Sequence, residues 1–303
     1  MLRHRVSPLP VRRSRRRASA DVNSDLDPPV AGPGLRELVD RLRVGPDDRF
    51  RLADRATEDD VGMTKDEALA RLAASRSRID VLQHRLYAEG ERSVLIVIQA
   101  MDAAGKDGTI RNVLSGLNPA GIRVESFKAP AGPEAQHDYL WRVHQVCPRR
   151  GGITVFNRSH YEDVLVVRVK EFVPEAVWRR RYGHIRHFEQ LLTDEGTTVV
   201  KVFLHVSRDE QARRFQERLD DPEKRWKFRR GDLDDRALWP EFQAAHEDAI
   251  RETSTAECPW YVVPADGNTR RNMAVAEILR YTLEQLDPRI PEPEEGLAGI
   301  RIV

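Results

Sequence analysis

Short apolar runs that end at turns, alternating with longer stretches of helical period, predict an α/β fold: a parallel sheet with helices on both faces. The first run, residues 93–99, is apolar almost throughout and not at every second position, so it reads as a strand buried on both sides. Residues 106–117 follow as a helix stopped by Asn118-Pro119. Further strands are expected at 123–127, 152–156, 199–206 and 260–263, with helices at 133–147, 174–195, 209–219, 238–253 and 272–286. In the stretch 174–195, Trp178, Tyr182, Ile185, Phe188 and Leu192 recur at three- and four-residue steps, the stripe a helix turns toward a core. A ligand of such a sheet binds beyond the carboxyl ends of its strands.

Composition narrows the classes. The 303 residues are 40% hydrophobic, enough for a sizeable core. Fifty basic and 49 acidic residues leave a net charge of +1, which argues against global attraction to nucleic acid or membrane. Any polyanion site must come from local clustering. Cys147 and Cys258 form neither a disulfide framework nor a CxxC pair, which fits a reducing cytoplasm. The aliphatic run 94–98 is far short of the roughly 20 residues a membrane span needs. Residues 1–17 hold seven arginines and no acid, prolines continue to Pro33, and no signal-peptide h-region is present. A transit peptide and a nucleic-acid arm share that composition, but it reads first as a disordered extension, 1–33, ahead of a single domain, 34–303.

The candidate site opens directly after the first strand. Ala100-Met-Asp-Ala-Ala-Gly105-Lys106-Asp107-Gly108-Thr109 meets the P-loop pattern GxxxxGK(S/T) at Gly105 and Lys106. A glycine there lets backbone N–H groups turn around a phosphate, the helix N-terminus adds partial positive charge, and the lysine reaches outer phosphate oxygens. Ala100 stands in place of the first glycine, and Asp107 in place of the hydroxyl that usually touches Mg²⁺. Asp102 and Asp107 could supply hard oxygen ligands instead.

Residues 99–109, Gln-Ala-Met-Asp-Ala-Ala-Gly-Lys-Asp-Gly-Thr, resemble the Walker A segment of the polyphosphate kinase 2 family in its class III form, where both departures are ordinary. Phe156-Asn-Arg-Ser-His-Tyr-Glu-Asp-Val164 resembles its Walker B region, and Trp226-Lys-Phe-Arg-Arg-Gly-Asp-Leu-Asp-Asp235 its lid. Matching segments run in order from about residue 43 to about residue 288. The chain departs from the pattern at Asn268-Thr-Arg-Arg271, where class III usually has an aromatic pair before the arginine. The resemblance implies a P-loop kinase-like three-layer sandwich with a basic helical lid at about 208–242. It also implies transfer between inorganic polyphosphate and AMP or ADP, Mg²⁺ (or Mn²⁺ in its place) as cofactor, and a homodimer or homotetramer.

The remaining clusters acquire expected roles. Arg158 emerges from a strand at the ligand edge, where phosphoryl transfer calls for a cation on the reacting oxygens, and the resemblance implies that role. By resemblance Asp102 orients the metal. Glu162 and Asp163 either hold Mg²⁺ or its water shell or merely cap a helix, with Asp163 ahead of Glu162. Catalysis is therefore expected from Asp102, Lys106, Arg158 and Asp163, and metal binding from Asp102, Asp107, Glu162 and Asp163. Phosphate contacts are expected from Ala103, Ala104, Gly105, Lys106, Asp107 and Gly108. Residues 208–230 carry nine basic and six acidic side chains, with aromatics interleaved and Gly231 following, the pattern of a lid over a polyanion. Arg208, Lys224, Arg225, Lys227 and Arg230 are its expected contacts. In related nucleotide kinases the edge at 126–130 binds the acceptor, which implies Phe127 against the base and Lys128 at the phosphate, with Pro130, Asp138, Asn157 and Arg158 around them. Tyr139 and Trp141 serve either that pocket or the core, and Arg179 to Arg181 either polyphosphate or solubility. His184 and His187 lack a third metal ligand nearby, and Ser159-His160 lacks an oxyanion motif. Two rival readings stand beside this one: a nucleoside monophosphate kinase using ATP, and a non-enzymatic polyanion-binding protein.

Overall fold

The computed structural model describes residues 34–46, 49–58, 62–297 and 300–302; the expectation for 1–33 lies outside the described residues. Two elements absent from the sequence reading come first: helix α1 (Leu35–Leu42) and the two-residue strand β1 (Arg43–Val44). A third, the long helix α2 (Lys65–Glu89), is bounded by clear signals. Thr64 and Glu67 form a capping box at its start, and Gly90 ends it with φ 66°, a left-handed turn that glycine adopts without strain. The chain continues through β2 (Ser93–Ala100), α3 (Lys106–Leu114), β3 (Ile122–Ser126), α4 (Trp141–His144), β4 (Ile153–Asn157), α5 (Val166–Val169) and α6 (Glu175–Asp194). It closes with β5 (Thr197–His205), α7 (Arg208–Asp220), α8 (Gly231–Ala237), α9 (Trp239–Thr253), β6 (Trp260–Pro264) and α10 (Asn268–Leu286). All the described residues fall within one compact unit.

The sheet runs in the order β1-β6-β5-β2-β4-β3, parallel throughout except where β1 meets β6. Alternation along the strands separates two cores. Val94, Ile96 and Ile98 of β2, with Val200, Val202 and Leu204 of β5, face α1, α2, α3 and α10. Leu95, Val97, Val199 and Phe203 face the other way, onto α6 and α9. The result is the expected three-layer sandwich. The stripe on α6 is core as its period required: Trp178, Tyr182, Ile185 and Phe188 are buried and Leu192 packs beside them.

Buried ion pairs tie the layers together. On one side Arg71 of α2 pairs with Glu277 of α10 at 2.6 Å, and Ser75 bonds the same carboxylate. On the other, Lys201 of β5 donates to Glu189 of α6 at 2.6 Å and to the Thr253 carbonyl at 2.6 Å. Tyr161 completes that cluster, its hydroxyl lying 2.8 Å from both Glu189 and Thr253 Oγ1.

Two expected elements differ. The helix over 133–147 is broken into a 3-10 turn, Gly132–Gln136, and the four-residue α4. The reason is local: the Asp138 carboxylate accepts from the Leu140 and Trp141 amides, at 2.9 and 3.2 Å, and so competes with the helical ladder. Over 208–242, where a lid is expected, the two ends are anchored in the fold. Gln211, Arg214 and Phe215 bury one face of α7, while Phe242 and Ala245 anchor α9 in the cores. Between them, only the stretch from 221 to α8 lacks a buried residue.

Candidate active site

β2 lies between β4 and β5, with Ile98 opposite Asn157 and Ala100 opposite Leu204. Parallel pairing therefore delivers the loop after β2 and the residues after β4 to one edge. The loop turns through Ala103 at φ 60° and Gly105 at φ 103°, where α3 begins. Its first N–H groups have no partner inside the helix and are donors for an anion. A Cβ at Gly105 would also lie 2.3 Å from the Arg271 guanidinium, which could move aside only by giving up its bonds to Ala104, Thr109 and Asn268.

Lys106 is 9% exposed, and its ammonium donates to the Ala100 carbonyl at 3.1 Å. Burial, seconded by Arg158, pushes its pKa down to about 8 against the opposing pull of Asp102, Glu162 and Asp107. Arg158 stands at φ 61°, an unusual backbone for a residue with a side chain. Its amide donates to the Ile98 carbonyl at 3.1 Å, and its guanidinium reaches Asp102 at 2.6 Å and lies 3.9 Å from Glu162. Burial alone would raise the Asp102 carboxyl, but Arg158 and Lys106 together hold it below its ordinary value. Glu162 goes the other way: burial raises it, Asp102 adds to the rise, and Arg158 and Lys106 offset only part. Asp102, Arg158 and Glu162 line one cleft with Gln211, Asp235 and His246.

Several expected residues sit elsewhere. Asp163 is turned away from the cleft: its carboxylate pairs with Arg181 at 3.0 Å, and burial raises its pKa while Arg181 offsets only part of that rise. This corrects the preference for Asp163 over Glu162. The 3-10 turn His160–Asp163, capped by Ser159, points adjacent side chains in different directions. Phe127 is buried, edge-on to Phe156 at 4.9 Å and 5.3 Å beneath the Arg142 guanidinium, so its ring is core and not a platform for a base. Lys128 and Pro130 are exposed at the end of β3, and Asp138 faces solvent while accepting the Leu140 and Trp141 amides. Asp107 is exposed and accepts from Asn157 at 2.7 Å, joining the two strand ends a second time. Ala103 and Ala104 are buried in the loop, and Gly108 lies in the first turn of α3, where its carbonyl accepts from Asn112 at 2.7 Å.

The cations expected of a lid are exposed and engaged locally. Arg208 opens α7 and offers its carbonyl to Arg236 at 2.7 Å. Lys224 pairs with Asp221 at 2.7 Å, and Arg225 donates to the Leu219 carbonyl at 2.9 Å. Lys227 lies 5.2 Å from the ring of Trp226, itself 75% exposed, and Arg230 precedes α8. Of the arginine triplet on α6, Arg179 pairs with Glu175, Arg181 turns inward, and Arg180 remains exposed.

Side chains that the sequence did not single out also meet here. Gln211 and Arg214 of α7 and Arg271 of α10 contact the loop backbone. Arg218 acts electrostatically on Asp102 from α7. Buried His246 borders the cleft with its pKa pushed down to about 4, foremost by burial, and its Nδ1 lies 2.8 Å from the Phe242 carbonyl. A charge run on an amphipathic helix conceals such roles, because period alone does not reveal which arginine faces inward. Among the described residues no group of three or more His, Cys, Asp or Glu side chains is arranged to hold a metal, and no helix is long and apolar enough to cross a membrane.

A glycine-turned loop between a central parallel strand and a helix, with a buried lysine and an arginine from the neighbouring strand, defines a kinase of the phosphate-loop class. Residues 62–291 match the family model described as polyphosphate kinase 2 (PPK2). The chain belongs to that family and is a polyphosphate kinase. It is 58% identical over 265 residues to the AMP/ADP-polyphosphate phosphotransferase of Meiothermus ruber, covering 86% of this chain and 99% of that one. It is 44% identical to the ADP-polyphosphate phosphotransferase of Rhodopseudomonas palustris, over 83% of this chain and 92% of that one. The crystal structure of polyphosphate kinase 2 from Arthrobacter aurescens TC1 superposes with a TM-score of 0.83 at 42% identity, covering 86% of this chain and 94% of that one.

Proposed function

We propose that this protein transfers the terminal phosphoryl group of inorganic polyphosphate to ADP, giving ATP, and to AMP, giving ADP, and that it runs in both directions. In each transfer the P–O bond to the shortened polyphosphate breaks, and a new P–O bond forms to a terminal phosphate oxygen of the nucleotide. The observation that carries the reading is the meeting of Lys106, Arg158, Asp102 and Glu162 at one strand edge. The Meiothermus ruber and Rhodopseudomonas palustris relatives, named for AMP/ADP- and ADP-polyphosphate phosphotransfer, support it.

In this reading the N–H groups at the start of α3, in residues 105–108, receive the transferred phosphate. Lys106 and Arg158 neutralise charge on its oxygens. Lys128, Pro130, Asp138 and Asn157 border the acceptor, and Arg208, Lys224, Arg225, Lys227 and Arg230 draw in the polyphosphate chain. The donor set fits Mg²⁺, which is commonly held by one or two carboxylates together with substrate phosphates. Asp102 and Glu162 would hold it. Glu162 and Asp102 are half-buried carboxylates at one cleft, and the pKa of Glu162 is raised foremost by burial and further by Asp102, charge that a cation would relieve. Bound there, Mg²⁺ would supply positive charge that neutralises the phosphates during transfer. The reading also places the protein in the cytoplasm as a homodimer or homotetramer.

The test is a coupled ATP assay on purified protein with Mg²⁺, long-chain polyphosphate and either ADP or AMP. ATP formation from ADP that requires polyphosphate is the expected result. ATP formation independent of polyphosphate, or AMP phosphorylation with ATP alone as donor, overturns the proposal in favour of a nucleoside monophosphate kinase.

A further inference from the structure

Every carbonyl of the phosphate loop from Ala100 to Gly105 has a donor. The Lys106 ammonium takes the Ala100 carbonyl at 3.1 Å, and the Ala104 amide takes that of Met101 at 3.3 Å. Gln211 Nε2 takes the Asp102 carbonyl at 2.9 Å. Arg214 Nη1 takes those of Ala103 and Ala104 at 3.0 and 2.9 Å, and Arg271 Nη1 shares Ala104 at 3.0 Å. The Thr109 amide closes the series on Gly105 at 2.9 Å. In a planar trans peptide the C=O and N–H point in opposite directions, so fixing the Asp102 and Ala104 carbonyls also fixes the direction of the Ala103 and Gly105 N–H groups, while the Ala104 N–H is held by Met101. An anion cradle depends on such fixed N–H directions.

Arg214 uses all five of its N–H donors. Beyond Ala103 and Ala104, its Nη2 bonds the Ala265 and Asp266 carbonyls at 2.7 and 2.9 Å, and its Nε bonds Glu210 at 2.7 Å. One planar fork therefore clamps the loop after β2 to the loop after β6, which a lysine with three donors on one nitrogen cannot reproduce. Arg271 adds bonds to Thr109, Asn268 and Asn272, all neutral oxygens. Gln211, Arg214 and Arg271 are 1%, 8% and 3% exposed, and the bonds just described commit each of them to the backbone of the loop. Gln211 is also tied outward: its Oε1 accepts from Arg236 of α8 at 3.0 Å, so lid and loop share one amide.

We infer that Gln211, Arg214 and Arg271 are positioning residues for the transferred phosphate: by holding the Asp102 and Ala104 carbonyls they fix the direction of the Ala103 and Gly105 N–H groups that meet it. The inference rests on the phosphate-loop reading above. Its test uses the full chain carrying Arg214→Lys or Gln211→Met, with Lys106→Ala as the control for the loop itself. Tripolyphosphate affinity by calorimetry, kcat, both Michaelis constants and the thermal unfolding midpoint are measured for each.

For Arg214→Lys the expected result is about a tenfold loss of both tripolyphosphate affinity and kcat, because displacements on the scale of an ångström are costly at a reacting centre. The KM for ADP should stay within about twofold, since the acceptor edge is untouched. Gln211→Met should shift the same quantities by about threefold, as one neutral hydrogen bond is lost. A purely structural role would lower the unfolding midpoint while leaving the folded fraction with wild-type phosphate affinity and kcat, and that result overturns the inference. Should Arg214→Lys fail to fold, Gln211→Met decides alone by the same criterion. If Lys106→Ala keeps binding and turnover, the phosphate-loop reading itself falls, and this inference with it. If Lys106→Ala loses both while Arg214→Lys and Gln211→Met match wild type, only the positioning role is refuted.

Discussion

Arg158 donates to the Asp102 carboxylate across 2.6 Å, and that contact joins the residue after β4 to the loop after β2. The two strands are parallel neighbours, with Ile98 opposite Asn157, so the register brings the pair together without any long-range adjustment. An arginine held on a carboxylate at the edge of a phosphate site is pre-positioned and partly desolvated, which favours electrostatic stabilisation of charge that develops there.

Lys106→Ala should abolish turnover and leave the fold intact. Loss of a charge-stabilising group at the reacting phosphate typically costs on the order of 3 kcal/mol, or about a hundredfold in rate. Steady-state kinetics with circular dichroism on the same preparation checks it. A folded variant retaining half of wild-type rate would sink the assignment.

The pH profile should show an alkaline limb near 8. Burial and then Arg158 lower the pKa of Lys106 to about 8, so its cationic form, which the phosphate needs, is lost as pH rises through that value. Asp102 works against that lowering, so Asp102→Asn should move the limb of kcat/KM to lower pH. A limb that stays in place shows that another group titrates there.

Glu162→Gln should reduce kcat more than Asp163→Asn. Glu162 faces the cleft with Asp102 and Arg158, whereas Asp163 is committed to Arg181. The expected loss for Glu162→Gln is about tenfold or more, since a carboxylate beside the reacting phosphate is removed. Asp163→Asn should instead lower the unfolding midpoint, because Arg181 is left half-buried without its partner. The opposite ranking in kcat would restore Asp163 as the functional acid.

Lys227→Ala and Arg230→Ala should raise the KM for long polyphosphate more than that for ADP, and should flatten its dependence on salt. Both cations are exposed, and polyanion contacts weaken as ionic strength rises. Kinetics at several salt concentrations with polyphosphate and then ATP as donor separates the cases. Equal damage with both donors would make the lid a general phosphate clamp.

Lys201→Met should destabilise the fold by about 3–5 kcal/mol, because Glu189 loses the partner that offsets its burial. Pairing it with Glu189→Leu should recover most of that loss. Urea unfolding of wild type, both single variants and the double variant measures the coupling. Additive effects would show that the ion pair contributes nothing beyond its separate side chains.

The sequence by itself determined the alternation of buried strands and helices, the loop at Gly105-Lys106, the emergence of Arg158 at a strand end and the cationic run of the lid. These features are local: period, turn residues and neighbouring charges are written within a few positions of one another. Long-range partners decided the rest. The helix α2 was legible locally, in the Thr64/Glu67 capping box, Gly90 and the recurrence of Ala68, Leu72, Ile79, Leu82 and Leu86, but the reason Arg71 and Ser75 share its buried face is Glu277, some 200 positions away. Arg214 reads as one charge among many in α7 until its fork is seen on the carbonyls of two loops from distant parts of the chain. Phe127 reads as an exposed strand end until Phe156 and Arg142 enclose it. The choice between Glu162 and Asp163 was set by one backbone turn and by Arg181 on another helix. Burial and side-chain direction depend on what packs opposite, and only the tertiary structure supplies that.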